Sequence, residues 1–206
     1  MSMSVKDAIA ARHSVRAFAR KALTEGEITE LLEAAGSAPS SLNSQPWRFK
    51  VVTDAADLAW FGTSEATRKQ GWLAAAPAII ISCVDLAHYI KDSQAAAFFF
   101  RDNKLIEGEP MDGIDAYVAR EAVAAEQARF GACAMNTAIA EAFLMLRATE
   151  MGLGTCWVGM FDEANIKARF HLPEGYRVVN IMAVGWPDEA QVYPRKRKSL
   201  EEIVIS

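Results

Sequence analysis

Along the chain, segments whose apolar residues recur every three or four positions alternate with shorter, continuous apolar runs. Val5, Ala8 and Ile9 predict a short helix over 5–12. Thr24 and Glu27 form a capping-box pattern ahead of Ile28, Leu31, Leu32 and Ala35, which predicts a second helix. That helix should stop near Ser37, because Pro39 disfavours helical geometry in the residue before it. Residues 47–53 (WRFKVVT) and 78–84 (AIIISCV) read as strands, the second a central one, with helical structure over 55–75 between them. The stretch 98–114 mixes three aromatics with charges, two glycines and a proline, and reads as a lid or excursion. A long helix is expected over 115–150, ended by Gly152 and Gly154. Asp162 can cap a helix over 163–170, residues 176–184 form a final strand, and the tail from Val192 reads as an arm. These elements predict one α+β domain over 1–206, with a central mixed sheet flanked by helices on both faces. No internal repeat or interdomain linker interrupts it.

Composition narrows the function classes. At 206 residues the chain suits one domain with a substantial core. Its 51% hydrophobic content is high, and the surplus in 122–146 suits burial between subunits. A formal net charge of −4 argues against a nucleic-acid partner, which needs a broad positive field. The N-terminus lacks the apolar core of a signal peptide, and 78–84 is far shorter than the ~20 apolar residues that span a bilayer, so no membrane partner is expected. Cys83, Cys133 and Cys156 are widely spaced with no CxxC pair, pointing to a reduced cytoplasmic setting. His13, His88 and His171 share no metal-ligand spacing with each other or with the cysteines, so no metal is expected.

Two clusters carry candidate chemistry. Arg12, His13, Ser14 and Arg16 place two guanidiniums and small hydrogen-bonding groups within five residues. Such a cluster is either a solvated helix terminus or an anion site, since paired guanidiniums bind phosphate bidentately. The loop Pro39-Ser40-Ser41-Leu42-Asn43-Ser44-Gln45-Pro46-Trp47 is dense in hydroxyls and amides. Its residues are ordinary turn formers, yet Asn43 offers donor and acceptor together, which suits a polar heteroaromatic edge. Trp47 reads as core. Near the C-terminus lies the basic run Arg195-Lys196-Arg197-Lys198, which lacks the interleaved aromatics of a nucleic-acid patch.

The R-x-S-x-R element, the PSS-x-N-x-QPW loop, the block Gly152-Leu153-Gly154-Thr155-Cys156-Trp157-Val158-Gly159 and the basic tail follow one another in order. Together they resemble the FMN-dependent nitroreductase family. The resemblance spans nearly the whole chain and covers 85–125 least well. It implies a nitroreductase-like fold that works as a homodimer, with an extended C-terminal arm exchanged between subunits and two FMN sites at the interface. Arg12 and Ser14 would hold the phosphate and ribityl side, with His13 a further contact. Arg16 would face the flavin N1–O2 edge, where negative charge gathers on reduction. Pro39, Ser40, Ser41 and Asn43 would come from the other subunit. Trp157 and Val158 would pack against the ring, Gly159 would let a backbone N–H approach N5, and Arg195 and Arg197 would grip the phosphate. Lys69 aligns only loosely with a contact to the pyrimidine edge. Arg16 and Gly159 are thus the catalytic candidates.

The implied activity is ping-pong oxidoreduction. NAD(P)H reduces the flavin at N5 and leaves, and an electron-poor acceptor such as a nitroaromatic or quinone then enters the same space. The absence of a GxGxxG fingerprint fits transient rather than Rossmann-type nicotinamide binding. The rivals are a flavin-binding sensor without efficient turnover, and a specialised branch performing reductive dehalogenation or flavin fragmentation. Little room between Val52 and Ala78 weighs against a deiodinase-type lid.

Overall fold

A computed structural model describes residues 3–188 and 196–205. The first helix, α1 (Val5–Ala11), is capped by Ser4, whose hydroxyl accepts from the Asp7 N–H. The Thr24–Glu27 capping box is formed and opens α2 (Glu25–Gly36). Then follow β1 (Trp47–Val52), α3 (Ala55–Phe61), α4 (Ser64–Thr67) and β2 (Ala78–Asp85). Three helices come next, α5 (Leu86–Asp102), α6 (Glu109–Val123) and α7 (Glu126–Glu150). The chain closes with β3 (Gly154–Val158), α8 (Glu163–Phe170), β4 (Tyr176–Gly185) and α9 (Leu200–Ile203).

The strands form one sheet in the order β1-β2-β4-β3, and every ladder is antiparallel. The expected mixed character is confined to one parallel bridge, Ser14 to Thr155. Strand alternation sends side chains to two apolar cores. On one face Ile79, Ile81, Cys156, Val158, Ile181 and Ala183 pack with Phe61, Leu73 and Phe170. On the other, Trp47, Ile80, Met182 and Val184 meet Leu31 of α2 and Ala140, Leu144 and Ala148 of α7. Full burial of each aliphatic side chain contributes ~1.5–3 kcal/mol, so the two cores hold the sheet between its helical layers.

Three expectations change. The helix expected over 115–150 is broken, because Ala124 and Ala125 are extended (ψ 148° and 146°) between α6 and α7. The break lets the two helices serve different cores: α6 packs Met111 and Val118 against Ala97 of α5, while α7 turns onto the sheet. Arg129 holds it by donating to the Ala124 carbonyl at 2.8 Å. The excursion over 98–114 is mostly helical, since α5 and α6 form a hairpin whose connection holds Gly108 at φ 66°. The block 152–159 contains β3, an edge strand beyond the three that the sequence predicts.

One face of the sheet has a polar centre. Glu141 of α7 is fully buried and accepts from Asn180 Nδ2 at 2.7 Å, beside Ser82, where β2 and β4 slip register between Ser82 and Cys83. Burial pushes the Glu141 carboxyl up to about 7, with Ser82 and Asn180 pulling the other way.

Candidate functional site

Main-chain contacts place the Arg12 cluster on the sheet. Arg12 caps α1 through its N–H to Ala8, and the next residues leave the helix in extended form. Ser14 then bridges Thr155 in parallel, and the Val15 N–H donates to the Thr155 carbonyl at 2.9 Å. The segment continues along the sheet end, with Phe18 bridging Pro187 and Ala19 donating to Trp186. This path needs Gly154: a Cβ there would lie 2.5 Å from Val15 Cγ2 and 2.7 Å from Val15 Cβ. The absent side chain is what lets the segment cross β3 at close range.

That crossing brings Ser14 and Arg16 to Thr155 and Cys156 of β3. Burial raises the Cys156 thiol above its ordinary range, with the nearby Arg16 charge and a Ser14 hydrogen bond opposing. The thiol is therefore protonated and buried at neutral pH, which removes it as a nucleophile. Alternation leaves Trp157 44% exposed, while Val158 points into the core. The Val158 side chain is therefore taken up by core contacts. Gly159 is exposed, and a Cβ there would meet no protein atom within 4 Å.

A third strand of chain reaches the same place. Arg68 and Lys69 both take left-handed backbone (φ 52° and 68°), and Gln70 Nε2 donates to the Met160 carbonyl at 3.0 Å. This turn was only loosely legible through Lys69, and Gln70 was not foreseen at all. Its tether spans 90 residues, so no local pattern reports it.

The serine-rich loop lies elsewhere. Ser40 Oγ accepts from the Gln45 N–H at 3.0 Å, and Gln45 Nε2 donates to Asn43 Oδ1 at 3.1 Å. Leu42, Asn43 and Gln45 all have left-handed backbone, with φ between 41° and 52°. A cavity of about 620 Å³ is lined by Leu42, Asn43, Gln45, Arg48, Phe99 and Phe100, among others. Arg12 and His13 line a different pocket of about 150 Å³ with Gly154 and Pro187. Neither of these two cavities contains residues of both clusters.

Among the described residues no group of His, Cys, Asp or Glu could hold a metal ion, and no helix is long and apolar enough to cross a membrane. Arg195 lies outside the described residues. Arg197 is exposed and donates to the Lys196 carbonyl at 3.2 Å.

These features define an α+β protein with an anion-suited segment laid against an edge strand and a second polar loop apart from it. The Nitroreductase family model matches residues 9–186, and the chain belongs to that family. An NADH dehydrogenase of Thermus thermophilus is 28% identical over 204 residues, covering 98% of this chain and 96% of that protein. A 5,6-dimethylbenzimidazole synthase of Rhodospirillum rubrum is also 28% identical, over 189 residues, covering 89% and 82%. Among solved structures, a protein of Exiguobacterium sibiricum determined in complex with FMN superposes with a TM-score of 0.80 at 22% identity, covering 100% and 98%.

Proposed function

We propose that this protein is an FMN-dependent oxidoreductase that takes electrons from NAD(P)H and delivers them to an electron-poor acceptor. The carrying observation is the Ser14–Thr155 bridge, which lays Arg12, Ser14 and Arg16 against β3, the strand that carries Trp157 and ends at Val158, one residue before Gly159. The donor set fits FMN. Two guanidiniums and a hydroxyl suit one phosphate and the electron-rich edge of a flavin, and the open surface at Gly159 suits close approach of a flat ring. When bound, FMN supplies two-electron redox chemistry between NAD(P)H and a nitroaromatic or quinone.

The chain's own residues supply position and charge. Arg16 is exposed and free to face the ring edge where negative charge develops, a role that preorganised cations fill at low cost. Backbone at 158–159, rather than the Val158 side chain, meets the ring. Donor and acceptor then use one open face in alternation, giving ping-pong order.

The site is completed by a second copy. Ser40, Ser41 and Asn43 belong to a loop remote from the Arg12 cluster, which suits a site shared between subunits. Two apolar surfaces support the homodimer. The long helix α7 exposes Gly131, Met135 and Phe143, and the described tail 196–205 is exposed throughout, including Leu200, Ile203 and Val204. A tail of this kind gains by burying itself on a partner, bringing Arg197 and the Arg195 region toward the phosphate.

Flavin fragmentation is the second reading, because the Rhodospirillum rubrum synthase matches this chain at the same identity as the Thermus thermophilus dehydrogenase. Anaerobic stopped-flow on the FMN-loaded protein separates the readings. Bleaching of the flavin band by NADH or NADPH, and its recovery with an acceptor, is the expected result. Slow or absent bleaching would favour a flavin-binding sensor, and loss of FMN as a fragmented product would favour the synthase branch.

A further inference from the structure

We infer that Asn136 of α7 is the positioning residue that holds the 40–45 loop in its cofactor-binding shape; the inference rests on the FMN reading above. Asn136 is 1% exposed, and its amide is used from both ends. Nδ2 donates to the Ala132 carbonyl one turn back at 3.0 Å, which fixes the side-chain orientation. Oδ1 then accepts from the Ser41 N–H at 2.9 Å, with the Ser41 hydroxyl 3.4 Å away.

The loop needs such an anchor. Leu42, Asn43 and Gln45 occupy left-handed backbone that costs non-glycine residues of order 1 kcal/mol each. Its other restraints are mostly internal: Asn43 N–H to Ser40 O, Ser44 N–H to Ser41 O, Gln45 N–H to Ser40 Oγ, and Gln45 Nε2 to Asn43 Oδ1. Those bonds hold the loop's shape but do not fix it to the fold. Leu42 packs beside the α5–α6 core, and Arg48 Nη1 donates to the Gln45 carbonyl at 3.1 Å, which ties the loop's far end to β1. Among the described residues, Asn136 ties the Ser41 end to α7. That helix also presents Gly131 and Met135 on its exposed face, so the loop is registered to the surface offered to a second copy.

Replacement separates this role from plain packing. Asn136→Ala keeps a strong helix former but leaves the Ser41 N–H without its acceptor. Asn136→Asp keeps an oxygen in place to accept from the Ser41 N–H. FMN titration should show about tenfold weaker binding for Asn136→Ala, the ratio that 1.4 kcal/mol corresponds to, and recovery to within about threefold for Asn136→Asp. Hydrogen exchange on the apo-proteins should show lost protection confined to 40–45. In wild-type protein the Ser41 amide should exchange as slowly as the core amides of α7, whether or not either variant folds. Unchanged FMN affinity in Asn136→Ala, no recovery in Asn136→Asp, or free-loop exchange at Ser41 in wild type would each overturn the inference. Failure of wild-type protein to bind FMN would instead sink the proposed function, and the Ser41 exchange would still decide the role of Asn136.

Discussion

The two candidate half-sites are built by opposite means. The Arg12–Arg16 segment is positioned by a main-chain bridge to β3 and by a missing side chain at Gly154, and Arg16 stays exposed. The 40–45 loop is positioned by its side chains and by one buried amide on α7, in backbone that is intrinsically disfavoured. A bridge to a sheet edge resists deformation, because shifting it breaks the Val15 N–H bond to the Thr155 carbonyl. A loop tied by a few side-chain bonds can loosen locally. The first half should therefore be rigid and tolerant of surface substitution, and the second sensitive to distant changes on α7.

The largest effect should come from Arg16→Ala. Arg16 is exposed, so the fold should hold, while the half-reaction with NAD(P)H slows ~10²–10³-fold through loss of one preorganised charge. Stopped-flow measures that step directly, and a loss of folding instead would mean that the segment is not held by main chain alone.

Next in size is the pH response of Glu141. Its folded-state carboxyl titrates at about 7 against an ordinary 4.5, because burial penalises the charge. A raised acid binds its proton more tightly in the folded form, so its stabilisation is complete below the ordinary value and is lost as pH rises through about 7. The cost is at most roughly 3 kcal/mol. Urea melts from pH 5 to 8 should show this decline, and Glu141→Gln should flatten it. Glu141 and Asn136 share α7, so exchange at 40–45 should rise with pH before exchange at 12–16 does.

Gly154→Ala probes the other half. The added Cβ must displace Val15, at a cost of ~1–3 kcal/mol, and should weaken FMN binding while leaving the Ser41 amide protected. Cys156→Ala should have the least effect on turnover, within about twofold, since its thiol is buried and protonated.

Legibility in the sequence followed the range of the interactions. The Thr24 box, the Asp162 cap and the strands at β1, β2 and β4 are local signals, and each appears where its residues place it. The break at Ala124–Ala125 carries no stop signal, because alanine favours helix and only the diverging cores force the bend. At the site, the residue types of the Arg12 cluster and the serine loop were legible, but what holds them was not. Ser41 meets Asn136 across 95 residues, and Gln70 meets Met160 across 90. Strand alternation sends the Val158 side chain into the core and leaves its neighbour Trp157 exposed.

The central claim, that the two half-sites meet only across two copies of the chain, is tested most directly by complementation. Arg16→Ala and Asn43→Ala proteins, each inactive alone, are mixed and allowed to exchange subunits. Heterodimers carry one site with both halves intact, so about a quarter of wild-type activity should return at random pairing. Two folded, subunit-exchanging variants that recover none would contradict the shared site.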